Sequence, residues 1–589
     1  MLLTLPIIIP LACAVLVAAV GGKNKFTSPA LAALGTLGAL AAVLFMFAYP
    51  LNLFYVSWVE PFLNIHLSAG QFQRLILLAV TVFSTLVLIY SINESAQNGK
   101  WFYFSYLITI SFACGAVLAD NLVLMLFFWE GLLIPLYIFI ILNKDAKETA
   151  FRAFIINAVG DIFLLAGIIM VGVLAGSFET SSARPIQLYS YSGVITFLLL
   201  AVGALSKAGA FPFHSWIPDA AKTTNTSFLA LLPGALEKLL AVFLLGKMSV
   251  LFDMSQINNG GDILFILSLF SIVLASLVLI REMDLKKFVA YNVVLQIGLL
   301  AFEKGVHMNA PIMELANHGV YKAAALACLF ICSGVIEKAA GTTDSNKLGG
   351  LFKAMPVTAV CFIISAMALT KVTYLDMFAS ESFYGVGTNH PYILAFLVIS
   401  QVLVLGAFVR IIYNTFFSAQ SVKAKEQTIT EKAVPAILAI VVFAYSIGWV
   451  FDEAHLINLH HAHFSANWVT LLIALSLAAA IAMAFGAYKK HGARQACVLN
   501  HGVLDKCLSF TESADTFNII KAFTMAFSKV MFRLDRMFDF IIDDIPSTVA
   551  KRFSKKGSVM HTGYHLSYIL WAIFGAIVFA VIALSGGWM

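Results

Sequence analysis

Eight ionisable side chains lie inside stretches that are otherwise apolar. Glu130 sits in "LMLFFWEGLLIPLYIFI", Asp161 in "NAVGDIFLLAG" and Lys207 in "VITFLLLAVGALSKAGAFPF". Glu237 and Lys238 sit in "LLPGALEKLLAVFLL", His318 and Lys322 in "NHGVYKAAAL", and Glu381 in "FASESF". A charge inside a span costs about 2.5–3.5 kcal/mol on insertion scales unless it is paired or hydrated. One use that justifies the cost is structural, opposite charges tying helices together. The other is proton transfer. A lysine loses affinity for its proton when desolvated and regains it when a carboxylate approaches. Each pKa unit is worth about 1.36 kcal/mol, so small movements of Glu130 relative to Lys207 would decide whether that lysine holds its proton. His318 and Lys322 are four apart, on one helix face, and make a two-step relay. Three lysines and a histidine, set beside two interrupted helices, favour the relay over simple pairing. Glu130, Lys207, Lys238, His318, Lys322 and Glu381 form the candidate proton path, with Asp161, His214 and Glu237 as secondary candidates. His214, beside Pro212 and Trp216, also reads as a hydrogen-bonded interfacial histidine.

The elements that position these groups must be membrane helices. Hydrophobic residues make up 61% of the 589 residues and charged residues only 12%, about half the charged share of an ordinary soluble chain. The stretches between charge clusters are long and apolar enough to give about sixteen spans. The first, "MLLTLPIIIPLACAVLVAAV", has no basic n-region and leads into further spans, so it is expected to be retained rather than cleaved. The formal charge of +6 is unevenly distributed. Odd-numbered connections carry, among others, Lys23, Lys25, Lys100, Lys144, Lys147, Lys222, Arg281, Lys286, Lys287 and Lys489, whereas even-numbered ones carry chiefly Arg184, Lys247 and Lys304. By the positive-inside rule the odd connections face the cytoplasm and both termini lie outside.

Two spans are interrupted. Pro212 and Pro218 follow Lys207, and the polar patch "TKVTYLD" precedes "FASESF". Interrupted spans in corresponding positions of two halves are the sequence pointer to an inverted-repeat transporter. From Ile520 the apolar residues recur three and four apart through Phe523, Phe527, Met531, Leu534, Phe538, Ile541 and Ile545, with Lys529, Arg533, Arg536, Asp539 and Asp543 between them. That pattern predicts a long amphipathic helix, kinked near Pro546, lying on the membrane surface. The fold class is therefore an all-α polytopic membrane protein. It divides into N-terminal helices at 1–100, a first five-helix repeat at 101–250 and a second, inverted one at 262–417. Accessory helices at 434–490, the amphipathic lateral helix at 503–556 and an anchoring helix at 562–589 complete it.

Other chemistries lack their motifs. The seven cysteines form no CxxC pair, and there is neither a GxGxxG after a strand nor a Walker loop. Cys328 and Cys332 fall within an apolar run and read as packing. The tract holding His455, His460, His461 and His463 has no accompanying cysteine or acidic ligand pattern and reads as a solvated loop. No metal or cofactor site is expected in this chain, and nothing in it addresses nucleic acid.

"FFWEGLLIPLY", "KAGAFPFHSWIPDA", "DLKKFVAYNVVLQIG", "NHGVYKAAAL" and "DSNKLGGL" resemble the antiporter-like, proton-translocating membrane subunits of complex I (NADH:quinone oxidoreductase). The same family includes energy-converting membrane-bound [NiFe] hydrogenases and multisubunit cation/proton antiporters. The likeness covers roughly residues 60–420, and the long amphipathic helix followed by "GYHLSYILW" extends it to the large, lateral-helix-bearing member. The resemblance implies that Glu130 modulates Lys207, that His318 and Lys322 bridge the path, that Lys238 is the lysine several members carry in the eighth span, and that Glu381 ends the path. Three departures stand out. "TKVTYLD" replaces a Gly-x-Pro-Pro segment, "KTTNTS" a Pro-Thr-Pro-like one, and Ala158 an arginine that often precedes Val159, Gly160 and Asp161.

The resemblance implies a proton (or sodium) translocating subunit of a redox-driven complex, an energy-converting hydrogenase or a complex I-type oxidoreductase. Its iron–sulfur clusters and its nickel–iron or flavin would reside on peripheral partners. The alternative is the large subunit of a multisubunit cation/proton antiporter. Those subunits usually carry further spans beyond the lateral helix, so a chain with one span there is expected to fit the redox-driven reading better. A third reading is a membrane anchor whose buried charges only stabilise packing. The expected partners are the lipid bilayer, antiporter-like and quinone-site-type membrane subunits, and peripheral redox subunits. The expected location is the prokaryotic inner membrane, with the lateral helix on its cytoplasmic side.

Overall fold

Twelve helices among the described residues are long and apolar enough to cross a membrane, and the chain is a multi-pass membrane protein. A computed structural model describes residues 2–22, 26–49, 53–59, 63–94, 99–143, 145–253, 259–306, 312–370, 391–418, 427–456, 515–560 and 563–584. Glu381, the patch after Thr370, the expected span at 467–487 and His460, His461 and His463 lie outside these residues. The order is α1 (Leu5–Val20), α2 (Thr27–Ala48), β1 (Leu53–Val59), β2 (Leu63–Ser68), α3 (Gln71–Ser91), α4 (Lys100–Leu118), α5 (Leu122–Gly131), α6 (Leu133–Ile141) and α7 (Lys147–Ala175). There follow β3 (Ile186–Gln187), α8 (Tyr191–Lys207), α9 (Trp216–Thr223), α10 (Thr226–Leu231), α11 (Glu237–Leu251), β4 (Phe252–Asp253), α12 (Asn259–Leu279), α13 (Leu285–Val306) and α14 (Ile312–Ala340). The rest are α15 (Leu351–Ala354), α16 (Pro356–Leu369), α17 (Pro391–Ile412), α18 (Ile429–Leu456), α19 (Thr516–Asp539), α20 (Ile545–Met560) and α21 (His565–Leu584). Met1–Phe517 and Asn518–Met589 form two separate compact units.

Burial sorts the helices of the first unit. The apolar windows of the span Thr226–Leu251 and of α14 are wholly buried, whereas those of α1, α2 and α7 are buried over only 39% of their length. A helix that is apolar all round belongs at the centre of a bundle, so these two segments form its axis. The outer helices turn large apolar side chains such as Ile162 and Val173 outward, as a lipid solvent requires.

The strands are an addition to the expected all-α fold. β1 and β2 pair as an antiparallel hairpin, and β3 pairs in parallel with β4. Both occupy connections between helices, and Phe54, Tyr55, Val56 and Trp58 supply the aromatic and β-branched types that favour strands.

Three local irregularities shape the bundle interior. Pro135 has no N–H to offer the carbonyl of Gly131, so one span is divided into α5 and α6 at that point. α8 stops after Lys207 because Gly209 adopts φ +75°. The N–H of Gly209 donates to the Ser206 carbonyl and that of Ala210 to the Leu205 carbonyl, the paired bonds of a Schellman cap. The expected cause of this break, Pro212 and Pro218, comes later in the chain: the glycine ends the helix, and the prolines shape the loop and α9. At 17 residues α8 is about 25 Å long, short of the ~30 Å hydrocarbon layer, so its last residue stays inside. Finally a π turn at Leu232–Leu236 (LPGAL) leads into α11, and such turns re-phase the helix that follows.

In the second unit α19 and α20 are joined by a π turn at Phe540–Asp544. Pro546 lies just beyond it, and its missing N–H and its ring act on the carbonyl four residues earlier, inside that turn. Phe523, Phe527 and Met531 are exposed.

The contact between α7 and α8 depends on Gly160, where an added Cβ would lie 1.9 Å from Ser206 Oγ. Gly160→Leu should push the two helices apart and cost about 1–3 kcal/mol or more, read as a lower thermal midpoint of the detergent-solubilised protein. Gly406→Ala, in a helix interior where nothing lies within 4 Å of the added carbon, should hold the midpoint or raise it slightly.

Candidate functional site

Lys207 occupies the last turn of α8, where the partial negative charge of the helix C-terminus favours a cation. It is 1% exposed. Its Nζ donates to Asp161 Oδ2 at 3.4 Å and to the Trp129 carbonyl at 3.2 Å. That carbonyl belongs to the last turn of α5, where the interruption before Pro135 loosens the helical ladder. Trp129 Nε1 donates to Asp161 Oδ1 at 3.1 Å, so the carboxylate holds the indole on one oxygen and the ammonium on the other. The close approach at Gly160 brings α8 against Asp161.

This arrangement corrects the expected partner of Lys207. The lysine pairs with Asp161, and Glu130 is exposed. Successive residues of a helix point about 100° apart, so an inward Trp129 turns Glu130 away. The charge of Glu130 still reaches Asp161. Trp129 was not among the residues singled out from the sequence.

Glu237 and Lys238 are both buried at the start of α11. Being adjacent on the central helix, they point to different sides of it. Glu237 feels the charges of Lys207 and Asp161, and neither of its carboxylate oxygens has a hydrogen-bond partner among the described residues. Lys238 donates to the Val293 carbonyl of α13 at 3.3 Å and feels the charge of Lys322. A buried carboxylate accepting no hydrogen bond is expensive as an anion, and taking up a proton removes much of that expense.

A second cluster lies between α13 and α14. Glu303 accepts from Lys322 Nζ on Oε1 at 3.0 Å, and its Oε2 lies 3.0 Å from His318 Nδ1. All three residues are buried. The expected pair His318–Lys322 is therefore a triad with a shared carboxylate. Glu303 sits in "AFEKGV" near the end of an apolar run and reads from sequence as a helix-end charge. It does lie seven residues after Gln296, hence on the same helical face, and that polar stripe was the available signal. Gln296 Nε2 and Tyr321 Oη donate to the carbonyls of Leu369 and Ala368, the last residues of α16.

His214 is buried in the loop between α8 and α9, its ring 5.7 Å from that of Phe211. The same loop is held by Asp515, which accepts from Ser215 Oγ at 2.6 Å, and by Thr516, whose Oγ1 donates to the Pro212 carbonyl at 3.0 Å. Burial pushes the Asp515 carboxyl up from its ordinary value, against the Ser215 hydrogen bond that draws it down. Arg152 completes the clamp, pairing with Asp219 at 2.8 Å and lying 5.0 Å over the Phe517 ring. Elsewhere His66 Nδ1 lies 3.4 Å from both Asp120 and Glu179, and buried Lys247 donates to the Ala119 carbonyl. Among the described residues no three His, Cys, Asp or Glu side chains converge as metal ligands.

Comparison with known proteins places this geometry in context. Residues 119–406 match a family described as NADH:quinone oxidoreductase/Mrp antiporter, transmembrane. A Na(+)/H(+) antiporter subunit A1 of Staphylococcus aureus is 27% identical over 440 residues, 67% of this chain and 54% of that relative. The chain spans a third to about a half of the length of the curated relatives it matches, 34% and 54% in two cases. Among solved structures, a chain of the Mrp complex from Dietzia aligns with a TM-score of 0.68 at 16% identity, over 84% of this chain and 99% of that one. A chain of respiratory complex I from Thermus thermophilus aligns with a TM-score of 0.64 at 19% identity, over 82% and 99%.

The Asp161–Lys207 pair yields a stability test. Asp161→Asn leaves a buried ammonium without its counter-charge and should destabilise the protein by about 3–5 kcal/mol. Adding Lys207→Met should recover most of the lost thermal midpoint, because it removes the stranded charge.

Proposed function

We infer that this chain, which belongs to the family of antiporter-like membrane subunits that Mrp antiporters and complex I share, moves protons through its bundle along Asp161–Lys207, Glu237–Lys238 and Glu303–His318–Lys322. The observation that carries this reading is the continuity of those groups. Buried ionisable side chains run from α7 and α8, through the central α11, to α13 and α14, with Glu237 within electrostatic reach of Lys207 and Asp161 and its neighbour Lys238 within reach of Lys322. Packing alone needs isolated neutral pairs. It does not need an unpaired glutamate beside a lysine that feels another lysine.

The chemistry follows from the pairing. While Asp161 holds Lys207, the ammonium is stabilised. Lengthening that contact removes the counter-charge and makes the lysine a proton donor. Glu237, within the field of the pair, is placed to take the proton, and Lys238 hands the electrostatic change on to Lys322. Glu130 would act from the bundle surface, its charge tuning Asp161, and His214 would serve the loop side of Lys207. Protons would enter from the cytoplasm near Lys207. The Glu381 exit carried over from the family belongs to this proposal and lies outside the described residues.

The finer architecture is part of the same proposal: about sixteen spans, two inverted five-helix repeats at 101–250 and 262–417, and α19–α20 as a lateral helix on the cytoplasmic surface. Both termini would face outward in a prokaryotic inner membrane. The partners would be other membrane subunits of one complex. The relatives' printed names, a Na(+)/H(+) antiporter subunit and a probable K(+)/H(+) antiporter subunit, favour the large subunit of a multisubunit cation/proton antiporter. A redox-driven complex is the second reading, favoured by the comparable likeness to complex I, and would place the redox centres on peripheral partner chains.

Lys207→Ala, assembled with its native partners in proteoliposomes, should lose proton flux by about a hundredfold or more. Unchanged flux overturns the reading. Assay of iron and nickel in the purified native complex separates the two settings, since an antiporter should contain neither.

A further inference from the structure

We infer that protons leave this chain between the end of α13 and the start of α14, through Glu303, His318 and Glu314, an inference that rests on the proposed proton path and replaces its Glu381 exit. The geometry is a ladder. Glu314, His318 and Lys322 are spaced four and four along α14, on one face. Lys322 is ten residues after Ile312, about 15 Å along the helix and so near the middle of a ~30 Å hydrocarbon layer. His318 is one turn nearer the end and Glu314 lies in the first turn. From the facing helix Glu303 bridges the two inner rungs at 3.0 Å each, three residues before α13 ends at Val306.

Exposure rises along the ladder. Lys322 is 1% exposed, Glu303 and His318 are 7% and 6%, and Glu314 is half-buried. Lys304, beside Glu303 in sequence, is buried and within electrostatic reach of Glu314. α13 and α14 are separated in sequence only by residues 307–311, an even-numbered connection that the distribution of basic residues assigns to the outer face. The charged groups therefore begin at mid-depth and end at that face.

Proton bookkeeping is simple because no electrons move. The Lys322 ammonium gives a proton to Glu303 Oε1, leaving a neutral amine and a carboxylic acid. The Glu303 carboxyl group then turns about its Cγ–Cδ bond so that the protonated oxygen faces His318, and it gives that proton to Nδ1, restoring the carboxylate and forming an imidazolium. The imidazolium releases its other proton, from Nε2, to Glu314, and Glu314 loses it to water. Lys304 adds positive charge at this mouth and so opposes retention of the proton. Lys322 is reprotonated from the Lys238 side.

The test uses the complete complex in proteoliposomes with a pH-sensitive dye, assembly being checked by co-purification of the partner subunits. Glu303→Gln and Glu314→Gln should each lower flux by at least about tenfold, while Glu148→Gln, a change at an exposed carboxylate away from the path, keeps most of it. Flux kept in either Glu303→Gln or Glu314→Gln overturns the inference, and so does an equal loss in Glu148→Gln. Glu314→Cys gives an independent reading if Glu303→Gln fails to assemble. An impermeant thiosulfonate reagent that leaves a carboxylate on the cysteine, added at the outer face, should restore flux by at least about threefold, and the same reagent trapped on the inner side should not. Restoration from the inner side alone, or from neither side, also overturns the exit. Lys207→Ala distinguishes the two levels: flux that survives it removes the proposed function itself, whereas flux lost there but kept in Glu303→Gln and Glu314→Gln removes only this exit.

Discussion

An ion in a hydrocarbon-bounded bundle needs a counter-ion or a dipole, and the contact between Lys207 and Asp161 is where this chain meets that demand most completely. The ammonium has a carboxylate oxygen at 3.4 Å, a backbone carbonyl at 3.2 Å and the C-terminal end of its own helix. Each contact comes from a different element: α7, α5 and α8. The pair is therefore both a structural joint and a reversible one, since lengthening a single ion pair exposes the full cost of the buried charge. A site for moving protons needs that sensitivity.

The backbone irregularities serve the same demand. At the interruption between α5 and α6 the Trp129 carbonyl accepts from the Leu132 N–H at 3.3 Å and from the Lys207 ammonium as well. The Schellman cap at Gly209 ends α8 at Lys207, short of a full span, so the lysine stays in the helix's last turn. After the π turn, the adjacent residues Glu237 and Lys238 at the start of α11 face two different clusters. The loop after Lys207 is in turn clamped by Asp515, Thr516 and the Arg152–Phe517 contact, so the short helix ends on a fixed support.

The likeness to Mrp and complex I chains, at 16% and 19% identity with TM-scores of 0.68 and 0.64, is a likeness of fold. Function on such a scaffold is decided by the groups themselves and by the chains that dock on it.

The sequence by itself determined the membrane class, the approximate spans and the identity of several of the buried charges, because apolar run length and a stray charge within it are one-dimensional facts. Lys207, Lys238, His318 and Lys322 were legible for that reason, as was an interruption after Lys207. Their partners were not. Asp161 is 46 residues from Lys207 and Glu303 is 19 from Lys322, and no local periodicity relates them. The sequence reading chose Glu130, next to the residue that does make contact, because a run of letters does not show which way a helix is turned. Only the tertiary structure set that rotation, through the interruption at Pro135, the close approach at Gly160 and the glycine that ends α8. Pairing energies fall off over a few ångströms, so which carboxylate holds which lysine was decided by packing.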